Sequence, residues 1–141
     1  MAMDIAEIEK STGRKISWHM DCNFYADSDG HVIDGPVLLY QTEVTFHCHA
    51  ANLDVSFESL DVLYVESVLR SEAIAFAKGE IPKVHRLNLF SAMFKDTVTW
   101  LELEGKKMIF LDMKGTEFKQ LLSIAQAKQK YSHTVAGSTG K

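Results

Sequence analysis

At 141 residues, with 46% apolar and 24% charged residues, the chain has the size and make-up of one domain able to bury its own core. Its formal net charge of −4 excludes an overall basic footprint, so no nucleic-acid partner is expected and membrane lipid would need a local patch. No apolar run nears the roughly 20 residues that cross a bilayer, and the acidic start is unlike a signal peptide, so a soluble, intracellular, cytoplasmic protein is the expectation.

Residues 4–10 can form one or two helical turns, with Ile5 and Ile8 three apart and Ser11-Thr12-Gly13 as the stop. So short a helix must dock or fray, which makes residues 1–14 an N-terminal segment ahead of a domain at 15–131. Over residues 16–25, Ile16, Trp18, Met20, Cys22 and Phe24 alternate with polar neighbours and Tyr25, the period of a half-buried strand. Asp27-Ser28-Asp29-Gly30 is an acidic turn; the later carboxylates of a calcium loop do not follow it. Residues 32–41 form the next strand, interrupted at Gly35-Pro36, where Pro's missing N–H demands an edge, a bulge or a strand start. After a turn at Gln41-Thr42-Glu43, residues 44–49 put Val44, Phe46 and Cys48 on one face and Thr45, His47 and His49 on the other. Residues 50–54 turn again, 55–58 resume the alternation, and 60–68 continue it beyond a bend or bulge.

Residues 71–78 read as a short helix or a structured loop, ended by Gly79 and Pro82. Residues 84–90 read as a strand with His85, Leu87 and Leu89 toward the core, and 91–96 lead into a hairpin of residues 97–103 and 106–113. Glu104-Gly105 supplies its turn. Gly115 then breaks the strand, and Thr116 is placed to cap a helix with Glu117 in its first turn. Phe118, Leu121, Leu122 and Ala125 share one face of that helix, and Lys128 and Lys130 suit its far end. Residues 132–141 are small and polar without periodicity, so a disordered tail is expected.

Few residues point to chemistry. His47 and His49 face the same way on a strand and are the nearest approach to a metal pair, but no third ligand has a telling spacing. His19 and Asp21 also share a face, without a nucleophile beside them. Cys22 and Cys48 lie on apolar strand faces and read as reduced, buried thiols. Trp18 and Trp100 read as anchors of the core or its rim, and Leu101, Leu103, Ile109, Leu111 and Met113 as core. Lys83, Arg86, Lys95, Lys106 and Lys107 bias the second half toward an anionic partner, with His85 and Lys114 near them in sequence. No cofactor site is expected.

Seven antiparallel, hairpin-linked strands and one C-terminal helix make a mainly β chain. Two runs, residues 35–46 (GPVLLYQTEVTF) and 55–66 (VSFESLDVLYVE), resemble pleckstrin-homology-like domains, most of all the GRAM-type and ICln-type branches. The resemblance implies a half-open barrel of two packed sheets, plugged at one end by the helix from Thr116. Members that bind phosphoinositides carry Lys and Arg around the first loop, where this chain has Asp27, Asp29 and Asp34. It therefore implies a non-enzymatic adaptor that binds a protein or peptide segment, at an exposed sheet edge or in the groove beside the closing helix. The alternative is a peripheral membrane module that meets anionic lipid through the basic second half.

Overall fold

A computed structural model describes residues 4–88 and 96–139, with side chains as far as residue 131. In chain order the elements are α1 (Ile5–Thr12), β1 (Trp18–Cys22), β2 (Tyr25–Asp27), β3 (Val32–Ile33), β4 (Val37–Thr42), β5 (Thr45–Ala50) and β6 (Leu53–Glu58). A 3-10 turn, Ser59–Asp61, leads to β7 (Val62–Leu69), α2 (Arg70–Ala77), β8 (Thr97–Leu103), β9 (Lys107–Leu111) and α3 (Gly115–Thr139). The strands make two antiparallel sheets, ordered β1-β4-β5-β6 and β3-β2-β9-β8-β7.

The inner faces of both sheets, together with α3, hold the main core. Leu39, Phe46, Cys48 and Phe57 come from the first sheet, Tyr25, Leu101, Ile109 and Leu111 from the second, and Phe118, Leu122 and Ala125 from α3. An amphipathic helix needs an apolar partner, and two facing sheets offer one. Gln126 and Gln129 fix the helix further: the Ser59 hydroxyl donates to Gln129 Oε1 (2.6 Å) and Gln126 Nε2 donates to the Ser59 carbonyl (3.0 Å). The outer faces are covered too. Ile5 and Ile8 dock α1 onto Leu38 and Tyr40, which is why so short a helix persists, and α2 packs Ala73 and Ala77 over Phe24, Val68 and Phe110.

The single strand expected over residues 16–25 is two. Cys22 still faces the core, but so does Tyr25, while Phe24 and Ala26 turn to the outer cluster. The inward parity therefore flips between Cys22 and Tyr25, where Asn23 N–H donates to Asp112 Oδ1 (2.8 Å). The chain leaves one sheet here and joins the other: β1 pairs with β4, β2 with β9. A second sheet change follows Glu58, where the bend lies at the 3-10 turn and the pairing slips again between Val62 and Tyr64. Pro36 stands just ahead of β4, the strand-start position.

Other expectations need correcting. Residues 84–88 form no strand: Leu87 makes one isolated bridge to Ser67, its N–H donating to Ser67 O (2.7 Å), and Val84 is buried rather than His85. Leu89 lies outside the described residues. Thr116 is not the cap of α3. The helix starts at Gly115, with Phe118 N–H donating to Lys114 O (3.2 Å). The α3 backbone also stays helical beyond Tyr131, into the stretch read as a tail. In the β8–β9 turn both Gly105 and Lys106 take positive φ (81° and 63°), so β9 begins one residue later than expected.

Candidate functional site

The acidic turn is less exposed than its composition suggests. Asp27 is fully buried and accepts from the Tyr25 hydroxyl (2.6 Å), from the backbone N–H groups of Asp29 and His31 (3.0 Å each) and from His31 Nδ1 (2.9 Å). Burial, reinforced by the bond to Asp27, pushes the Tyr25 hydroxyl far above its usual range and keeps it a donor. Asp29 and Asp34 remain outward, and Asp29 draws in Lys107 (3.5 Å).

The expected basic patch is spread over two places. Arg86 reaches back to Glu66 on β7 (3.6 Å), beside exposed Lys83 on the same connection. Lys106 and Lys107 stand instead at the β8–β9 turn, and Lys95 lies outside the described residues. His85 pairs with Glu72 (3.2 Å). The outer edge of β7, an exposed sheet edge of the kind expected to dock a segment, is partly taken by the chain's own Leu87.

A concavity of about 880 Å³ wraps the tip of the β4–β5 hairpin. On the tip's inner side it is bounded by Trp18 and Gln41 and by Leu121, Ile124 and Lys128 of α3. On the outer side stand Arg14, Thr42, Thr45, His47 and Ser56. Trp18 and Leu121 are half-buried, whereas Ile124 is 67% exposed, an apolar side chain left uncovered. The tip is sharply bent: Glu43 takes φ 56°, uncommon for a residue with a side chain, and its carbonyl accepts from Gln41 Nε2 (2.6 Å).

His47 organises the outer side. It stacks on Tyr40 (centroids 4.6 Å apart, planes at 12°) and is nearly fully buried. Arg14 Nη1 approaches its Nδ1 at 3.3 Å, and since a guanidinium only donates, Nδ1 must be the accepting nitrogen. The ring proton then sits on Nε2, which donates to Thr42 Oγ1 (2.9 Å). Burial first and the Arg14 charge second push the imidazole pKa below its usual value, opposed by Asp54 and Glu58. Both ring nitrogens are thus engaged in holding Arg14 and the hairpin. Among the described residues no three His, Cys, Asp or Glu side chains gather as a metal site around His47, His49 or elsewhere.

Cys22 and Cys48 are free and buried, as expected. Leu121 belongs to the predicted apolar face of α3, whereas Ile124, Arg14 and Lys15 lie outside every site expected from the sequence. The legible signal was Ile124, an apolar residue out of phase with Phe118, Leu122 and Ala125. No described helix is long and apolar enough to cross a membrane. No protein-family model matches the chain, and no curated protein matches it.

Proposed function

We propose that the chain is a pleckstrin-homology-like, non-enzymatic interaction domain that holds a peptide segment of a partner protein in the groove around the β4–β5 tip. The observation that carries this reading is Ile124, 67% exposed on a helix that buries Phe118, Leu122 and Ala125, and lining the same concave surface as half-buried Trp18. The fold reading draws on strand order. A three-stranded meander, β4-β5-β6, flanked by β1, a chain that passes from β1 directly into the second sheet at β2, and a last helix sharing the core of both sheets suit a half-open barrel with a plugged end. The alternative, lipid contact through the basic second half, gains less support, since Arg86 and Lys107 already face Glu66 and Asp29.

Selection of displayed peptides on the immobilised chain tests the reading, with Ile124→Glu as the counter-target. Ile124 is exposed, so the substitution spares the core. Peptides retained by the parent and lost by the variant are the expected result. Peptides held equally by both proteins would refute the groove.

A further inference from the structure

We propose that the groove is built for an acidic amphipathic segment. An apolar residue of the partner seats against Trp18 and Ile124, with carboxylates beside Lys128 on one side of the hairpin tip and beside Arg14 and Lys15 on the other. The inference rests on the peptide-binding reading above and adds the chemistry of the ligand.

Charge complementarity supplies the argument. Three cations, Arg14, Lys15 and Lys128, line the groove against one carboxylate, Glu43. That local excess stands in a chain of net charge −4. Among the described residues, ion pairs occupy Arg70 with Asp96, Arg86 with Glu66 and Lys107 with Asp29, and none engages these three cations. Arg14 is steadied by His47 Nδ1 (3.3 Å) and makes no direct ion pair among the described residues, with Asp54 and Glu58 acting on the same ring from farther off. Such an arrangement attracts acidic segments and repels basic ones, giving discrimination as well as attraction. The apolar component comes from the uncovered Ile124 beside Trp18 and Leu121. A ligand matching both is amphipathic: apolar on the side that meets α3 and acidic on its flanks.

Fluorescence anisotropy with the full chain tests this, using three labelled peptides of identical Leu/Phe spacing that carry Glu, Gln or Lys at every polar position. The Glu peptide is expected to bind several-fold more tightly than the Gln peptide, and to weaken as salt rises. Lys128→Glu, and separately Arg14→Glu with Lys15→Glu, should each weaken it by about 2–5-fold per reversed charge. Equal binding of the Glu and Gln peptides, both lost in Ile124→Glu, would overturn the charge assignment and leave the groove reading intact. Absence of binding by all three peptides, or binding that ignores Ile124→Glu, would overturn both. Binding only to phosphatidylserine/phosphatidylcholine vesicles, abolished by Lys128→Glu, would assign the cations to a membrane and refute the peptide.

Discussion

Phe118 of α3 packs against Phe46 of β5, the ring centroids 5.1 Å apart and the planes at 59°, with both side chains fully buried. Phe46 stacks in turn on Phe57 (5.6 Å), so this pair ties the closing helix to the first sheet. Phe118→Ala should cost about 3–5 kcal/mol, a large part of the roughly 5–15 kcal/mol that holds a domain folded. Exposed Lys119→Ala should stay within about 0.5 kcal/mol of the parent. Urea midpoints of the two variants check the contrast; an unshifted Phe118→Ala would mean that α3 is not part of the core.

Gln129 is the second fastening of α3. Its Oε1 accepts from the Ser59 hydroxyl and from Leu60 N–H (3.1 Å), and Ser59 is fully buried. Gln129→Leu would leave those donors without their acceptor, at an expected cost of about 1–3 kcal/mol. Thermal melts would register the loss, and amide exchange should quicken first at Leu60.

Asp27→Ala should be among the most damaging changes outside the apolar core. It removes the acceptor of the fully buried Tyr25 hydroxyl, and of two backbone N–H groups and His31 Nδ1 at the half-buried rim of the turn. Each buried donor left unsatisfied costs about 1–3 kcal/mol. Asp29→Ala, on the exposed rim of the same turn, should lose little beyond its contact with Lys107. Parallel denaturation curves separate the two; equal stability would contradict the buried role of Asp27.

His47 gives stability a pH dependence of known sign. Its folded pKa is lowered, so in acid the unfolded chain binds a proton that the native state refuses. The contribution is complete above the ordinary histidine pKa of about 6.5 and falls as pH drops below it, levelling once the folded pKa is passed. His47→Gln can still accept from Arg14 and donate to Thr42 without titrating, and should flatten that part of the profile. Denaturation midpoints at about pH 7.5 and about pH 5 measure the difference.

The thiols should be inert. Burial, with Asp112 and Asp21 adding to it, pushes the Cys22 thiol up to about 12, and burial raises Cys48 as well. A bulky disulfide reagent at about pH 8 should leave both unmodified until denaturant is added. Rapid labelling of the native protein would contradict their placement in the core.

Sequence patterning revealed the core more readily than the connections. The apolar face of α3, the β8–β9 hairpin and the buried side of β5 follow from local periodicity, which burial enforces directly. The switch at Asn23 did not, because Cys22 and Phe24 keep the alternation although they face different clusters. Residues 84–88 alternate like a strand yet make one bridge, since a pattern cannot tell whether a neighbouring edge is open for pairing. The burial of Asp27 within the acidic turn has no local signature, because its donors, Tyr25 and His31, become partners only once the turn has formed. The groove gathers Arg14, Trp18, Gln41 and Ile124 from four separate stretches, and only Ile124 broke a local pattern.

The most direct measurement is a ¹H–¹⁵N titration of the full chain with the Glu peptide. Binding at the β4–β5 tip should move the amides of Trp18, Gln41, Thr42, Leu121, Ile124 and Lys128 together, saturably, and leave the β2–β3 turn and β7 in place. Shifts centred on β7 or on the Asp27 turn, or a spectrum unchanged at excess peptide, would contradict the account.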